Sequence, residues 1–302
     1  KDGININASL NYASNYGGSM NISATMPNFG LWTRNYTVKA EASSYPKIAL
    51  NNLSFYELGK IKILTAASIG YEVDPLFIFN DGKKVSTYES NTFKTTLSLG
   101  TAISNNVVTG LTLGYQSSDN KYSSGSRSYK DFNENYQTIF TGTYLYIDTL
   151  NRKNFPSKGN VLRFEGFNTQ GVDSKDINYN GFMFSTDFYL PVTEKFSMNL
   201  RLSGGKTAGE NVPDSSLFKI GGLRDNDLAF SFIGLPMMGR YTDEFYMIRG
   251  GLQYRLTDTF YLIGKYNMMT YSSDGLSFQK SYDNGEEESK SLDNIRDIGP
   301  RN

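Results

Sequence analysis

Ile4, Ile6, Ala8, Leu10 and Tyr12 alternate with Asn5, Asn7, Ser9 and Asn11, and this period of two returns along most of the chain. Met20, Ile22, Ala24 and Met26 alternate with Asn21, Ser23 and Thr25; Tyr36, Val38, Ala40 and Ala42 do so with Thr37, Lys39, Glu41 and Ser43. A pleated strand sends successive side chains to opposite faces, so the pattern predicts strands with one apolar and one polar face. It recurs over residues 93–103, 182–190, 196–202, 246–256 and 260–268.

The polar face carries Asn199 and Arg201 in one of these strands and Arg249, Gln253 and Arg255 in another. The strands run about nine to twelve residues, nearer a tilted transmembrane strand than the usual globular five or six. No helical segment is available to cover so large a sheet. The connections alternate in length. Short joins at 104–106, 191–195 and 256–259 interleave with long ones at 74–90, 117–131, 168–177, 207–239 and 272–296. Short turns at one end and long polar loops at the other are the habit of an outer-membrane barrel, and a soluble sandwich has no reason to keep that parity. The expected fold is therefore all-β, a transmembrane antiparallel barrel, with about 13 strands legible.

Composition narrows the chemistry. Thirty Lys+Arg balance thirty Asp+Glu, which gives no basic surface for nucleic acid. The chain has no histidine and no cysteine, so a Ser-His-Asp triad, a His-ligated zinc and a disulfide framework are all excluded. Ser19 in "NYGGSMN" lies outside any G-x-S-x-G elbow, and "YDNGEEESK" (residues 282–290) lacks the spacing of an EF-hand. No catalytic residue, metal ligand or cofactor site is expected. Trp32, with Phe29 and Tyr36, sits at a short-turn end, where Trp and Tyr mark a membrane–water interface.

Residues 207–239 form the longest connection, yet they hold Phe218, Ile220, Leu223, Phe230, Phe232, Ile233 and Leu235. Apolar groups in a loop need a surface to pack on, and a barrel lumen supplies one. The loop is thus expected to fold inward, with Arg224 behind the Gly221–Gly222 pair as its pin. A cation carried inside needs a partner. Asp225, Asp227, Asp187 and Glu165 are the candidates, and the sequence does not choose among them.

The stretch "FKIGGLRDND" (218–227), followed by "FIGLPMMGRY", resembles the inward-folding loop of the BamA/TamA outer-membrane superfamily. "FPSKGNVLRFEG" (155–166) resembles the P-x-x-G stretch upstream of that loop. The double glycine looks most like the barrels of patatin-type (type Vd) autotransporters. The resemblance implies a 16-stranded barrel with the loop between strands 11 and 12. On that count the last strands lie beyond this sequence, and residues 1–302 are one barrel domain of a longer chain. In relatives the loop arginine is held by an acid on the second strand after the loop; here that strand reads "FYLIGKYN", with Lys265 and no carboxylate.

The implied role is a bacterial outer-membrane translocator or anchor for the chain's own N-terminal phospholipase passenger, joined through a POTRA-type domain. Its implied partners are outer-membrane lipids, lipopolysaccharide and the barrel-assembly machinery; a homodimer stays open. An insertase of outer-membrane proteins and a passive porin are the alternatives, and a barrel phospholipase is the enzymatic rival.

Overall fold

The computed structural model describes residues 3–13, 17–27, 33–59, 61–80, 83–125, 135–172, 176–222, 228–257, 260–272, 279–281 and 287–289. Thirteen strands form one antiparallel sheet. They are β1 (Asn5–Ala13), β2 (Gly17–Met26), β3 (Thr33–Ala42), β4 (Lys47–Leu58), β5 (Ile61–Asn80), β6 (Lys83–Ser104) and β7 (Val107–Gly125). They continue with β8 (Asn135–Asp148), β9 (Gly159–Gly171), β10 (Asn178–Pro191) and β11 (Phe196–Glu210). Between β11 and the next wall strand come β12 (Phe218–Ile220), β13 (Ala229–Phe230) and β14 (Arg240–Thr242), which make a separate three-stranded sheet. The wall then resumes with β15 (Glu244–Arg255) and β16 (Tyr261–Tyr271). A short pair, β17 (Gln279–Ser281) and β18 (Glu287–Ser289), follows. Each wall strand pairs with its sequence neighbour, the inner sheet apart, so the topology is a simple up-and-down meander with β1 and β16 at its two edges.

Register makes the two faces continuous. Asp187 lies opposite Arg201 and Val161, Arg201 opposite Arg249, and Arg249 opposite Asn267, so all share one face. On the other face Phe164, Phe184, Gly204 and Tyr246 form a row across β9, β10, β11 and β15. That second face is apolar and bare. Leu10 is 82% exposed, Leu111 67% and Leu97 61%. A sheet this large with one uncovered apolar face is stable only when lipid covers it. The first face carries Asn, Ser, Thr and the charges, and hydroxyl pairs tie it across strands: Ser68 with Thr96 (2.7 Å), Ser98 with Thr112 (2.8 Å) and Thr92 with Ser118 (3.0 Å).

The buried residues lie inside this curved wall. Phe218, Ile220 and Phe230 of the inner sheet pack on Met183, Phe245 and Met247 of the polar-side face. Ile177, Tyr136 and Tyr179 form a second cluster with Val212, and Leu76, Ile78 and Tyr88 a third with Tyr241. One loop therefore touches β5–β6, β8, β10 and β15, strands far apart in sheet order. Only a sheet curled round that loop allows this. The fold is a transmembrane antiparallel β-barrel.

Four sequence expectations shift. Residues 74–90 are strand, not loop: β5 and β6 stay paired up to Asn80–Lys83, past the end of β4 at Lys47–Glu72. Leu76, Phe77 and Ile78 are buried in succession there, which erases the alternation that would have marked a strand. The wall strand after the loop begins at Glu244, because Arg240–Thr242 belongs to the inner sheet. The loop spans 211–243 instead of 207–239. Strand lengths of 9 to 22 residues also exceed the expected range, because β5, β6 and β7 project beyond the rim.

Candidate functional site: the lumenal loop and its docking wall

The chain leaves the wall after Glu210 and makes one 3-10 turn, Asp214–Ser216. Two wall tyrosines hold this turn. The hydroxyls of Tyr136 and Ser215 share a hydrogen bond of 2.5 Å, and Tyr179 donates to Ser216 Oγ at 3.1 Å. β12 then lies parallel to β13 and antiparallel to β14, so its backbone is paired on both sides. That pairing satisfies the backbone of β12 inside the lumen.

The apolar anchor is aromatic. Phe218, fully buried, meets Phe245 edge-on at 5.2 Å and Phe230 at 6.1 Å, while the Phe230 and Phe245 centroids are 4.5 Å apart. Burying each ring contributes about 1.5–3 kcal/mol. The wall makes room for them. A Cβ on Gly205 of β11 would stand 2.6 Å from Phe218 Cζ, so a side chain there would occupy the ring's place.

The polar anchors follow on the same strands. Arg249 of β15, 6% exposed, donates through Nη2 to Ser231 O (2.7 Å) and Ser231 Oγ (2.8 Å). One turn further along the loop, Asn267 of β16 clasps the Ile233 backbone: its Oδ1 accepts from the Ile233 amide (3.0 Å) and its Nδ2 donates to the Ile233 carbonyl (3.2 Å). At the far side, Tyr241 Oη accepts the Phe77 amide at 3.1 Å, which satisfies the edge of β5 beyond the end of β4. The loop is thus bound on three sides.

Gly221 and Gly222 stand in the middle of this loop, at φ +133° and +75°. Gly221 N donates to Phe230 O (2.9 Å) and Gly222 N to Leu235 O (3.1 Å), so the pair forms the bend that links β12 to its neighbours. Arg224, Asp225 and Asp227 lie outside the described residues, as do Trp32 and Phe29. Tyr36 stands on the lipid-facing side of β3, with Val38 and Ala40. The two remaining candidate acids each have a wall cation beside them. Asp187 is 3.2 Å from Arg201 Nε, directly opposite in register, and Glu165 Oε1 accepts from Arg163 Nε at 2.6 Å.

Sequence reading passed over Ser231, Asn267, Tyr136, Tyr179 and Tyr241. Arg249 was visible only as one polar-face cation among several. Opposite the loop, Asn7, Ser9, Asn21, Ser23, Lys39 and Glu41 line a concavity of about 600 Å³. Its lining mixes these polar side chains with Ala8, Ile22, Ala40 and Ile48. Among the described residues no group of three or more His, Cys, Asp or Glu could hold a metal.

Comparison with known proteins agrees with this geometry. The profile of the Omp85 superfamily domain matches residues 1–227. A search of curated proteins returned no significant match. Among solved structures, BamA from Haemophilus ducreyi lacking POTRA domains 1–3 superposes with a TM-score of 0.68 at 16% identity, covering 89% of this chain and 58% of that one. CdiB from Acinetobacter baumannii gives 0.57 at 13% identity, covering 90% and 50%. CdiB from Escherichia coli gives 0.53 at 15%, covering 84% and 48%. The chain spans about half the length of these structures, and at such identity the likeness concerns the fold. The chain belongs to the Omp85 superfamily, of BamA/TamA type, and is an integral β-barrel protein of the outer membrane.

Proposed function

We propose that this barrel is the translocator and membrane anchor of a patatin-type autotransporter, exporting or displaying a phospholipase domain that precedes it in the full chain. The observation that carries the reading is the apolar loop folded into the lumen on a Gly221–Gly222 bend, since the double glycine before Arg224 is the feature that resembles that branch. In an outer-membrane barrel the short turns face the periplasm. β1 begins at the rim of the joins 59–60, 105–106 and 192–195, opposite the long inner loop, so an upstream POTRA-type domain would hang from the periplasmic mouth. The barrel itself performs no catalysis in this reading; its work is structural, and the passenger supplies the chemistry. Its other partners are outer-membrane lipid, lipopolysaccharide and the machinery that assembles barrels.

The likeness to BamA favours a second reading, an insertase for other outer-membrane proteins. Intact mass and N-terminal sequence of the native protein, taken from outer membranes, separate the two. A G-x-S-x-G patatin domain ahead of Lys1 supports the autotransporter. Repeated POTRA modules without a lipase support the insertase. A native chain that begins near Lys1 removes both and leaves a passive porin.

A further inference from the structure

The join between β8 and β9, residues 149–158, is the longest on the short-turn rim, and it is not a slack loop. Asn151 Oδ1 accepts the amides of Ser157 (3.1 Å) and Lys158 (3.2 Å), Asn151 N donates to Lys158 O (3.1 Å), and Leu150 N donates to Asp148 Oδ1 (2.9 Å). This rigid turn reaches past β10 and β11 to the far strands. Phe155 stacks on Tyr261 of β16 with centroids 4.5 Å apart and planes 9° from parallel. Gln253 of β15 donates to the Pro156 carbonyl at 3.3 Å, and Arg152 to Tyr261 Oη at 3.4 Å. Phe155 holds φ +50°, a left-handed value that a non-glycine residue keeps only when its surroundings enforce it.

Phe155 and Pro156 also floor a cavity of about 190 Å³, whose walls are Tyr189, Asn199, Gly251 and Lys265. Arg249 and Asn267, which hold the inner loop, are the next residues up the same two strands on the same face. The lumenal side of the β15–β16 hairpin is therefore gripped twice, by the inner loop above and by the turn below. The grips differ in kind. The upper one is buried, whereas the lower one rests on long hydrogen bonds and on the stack of a ring that is 44% exposed.

We infer that the turn 149–158 is a releasable strap across the periplasmic mouth: docked on Gln253 and Tyr261 it closes the passage beneath the inner loop, and its release opens that passage to a chain entering from the periplasm. The idea rests on the translocator reading for its purpose, but its closing action is testable without any passenger. Residues 1–302 hold no cysteine, so a Phe155→Cys/Tyr261→Cys pair introduces the only thiols of this barrel segment. The full-length variant, assembled in outer membranes and moved to planar bilayers, is compared oxidised and reduced, beside Phe155→Ala/Gln253→Ala.

The strap predicts low conductance for the disulfide-locked form, recovery on reduction, and open-state occupancy raised about fivefold or more in the double alanine variant, the range of a coupling between two states. Export of the passenger should fail in the locked form and return with reductant. Equal conductance in the locked, reduced and alanine forms overturns the strap whatever export does. Gated conductance with normal export in the locked form keeps the strap as a gate and removes its place in translocation. Alanine variants that fail to assemble leave the locked-versus-reduced comparison, made on one assembled protein, to decide.

Discussion

Arg249 and Ser231 sit 18 residues apart in sequence, and Arg249 Nη2 donates to both the carbonyl and the hydroxyl of Ser231 at 2.7 and 2.8 Å. The arginine belongs to the wall and the serine to the loop, so this contact fixes the loop's depth in the lumen. Arg249→Ala removes both hydrogen bonds to the buried Ser231 and should cost about 2–4 kcal/mol. Arg249→Lys keeps the charge but not the fork and should lose roughly half of that. Ser231→Ala should cost about 1 kcal/mol alone and almost nothing further in the Arg249→Ala background. Urea unfolding of the barrel in lipid bilayers, read as a double-mutant cycle, checks the coupling.

The aromatic anchor should matter more than the polar one. Phe218→Ala opens a void between Phe230, Phe245 and the bare backbone of Gly205, and about 3–5 kcal/mol of stability should go with it. The barrel should then lose its compact, heat-modifiable form on gels at a markedly lower temperature than wild type.

Gly221 and Gly222 are not equivalent. A Cβ on Gly221 would collide with the Pro236 carbonyl, which is backbone and cannot yield, whereas on Gly222 it would meet the Cα and Cβ of Met237 no closer than 3.3 Å, a tight contact that a shift of a few tenths of an ångström relieves. Both have positive φ, so each alanine carries a conformational cost of about 1–2 kcal/mol. Gly221→Ala should lose substantially more, enough to lower the yield of folded barrel. Limited proteolysis at the inner loop should separate the variants, with Gly221→Ala cut and Gly222→Ala largely protected.

The two faces of β11 make opposite forecasts for neighbouring residues. Leu200 faces lipid opposite Gly250, midway between Tyr246 and Tyr254, so Leu200→Arg should cost about 2–4 kcal/mol near the bilayer midplane. Asn199 faces the lumen beside Asp187, and Asn199→Arg should be nearly neutral. Folding titrations into phospholipid vesicles measure both.

Much of this was written in the alternation. The Ile4–Leu10 and Asn5–Asn11 faces, the thirteen wall strands and the inward turn of an apolar loop follow from period and composition alone. The projecting hairpin at residues 74–90 did not, because burial on both sides removes the polar half of the pattern. The Asp187–Arg201 pair was within reach: a short turn at 192–195 fixes the register that places them opposite each other. Arg249–Ser231 was not, since nothing local distinguishes that serine, and the match depends on how the loop folds back. The same holds for Phe155 on Tyr261, which joins the β8–β9 turn to a strand separated from β9 by three others in the sheet.

The central claim is that the inner loop, described over residues 211–222 and 228–243, sits in the lumen and docks on β15 and β16. Oxidative cross-linking of Ile233→Cys with Asn267→Cys, in full-length protein held in native outer membranes, tests it most directly, because the backbone of one and the side chain of the other are 3.0 Å apart. The account predicts a single intramolecular disulfide, seen as a reductant-sensitive shift in the unfolded band. Two free thiols that both react with a bulky, membrane-impermeant maleimide, and never with each other, would place the loop outside the barrel and contradict it.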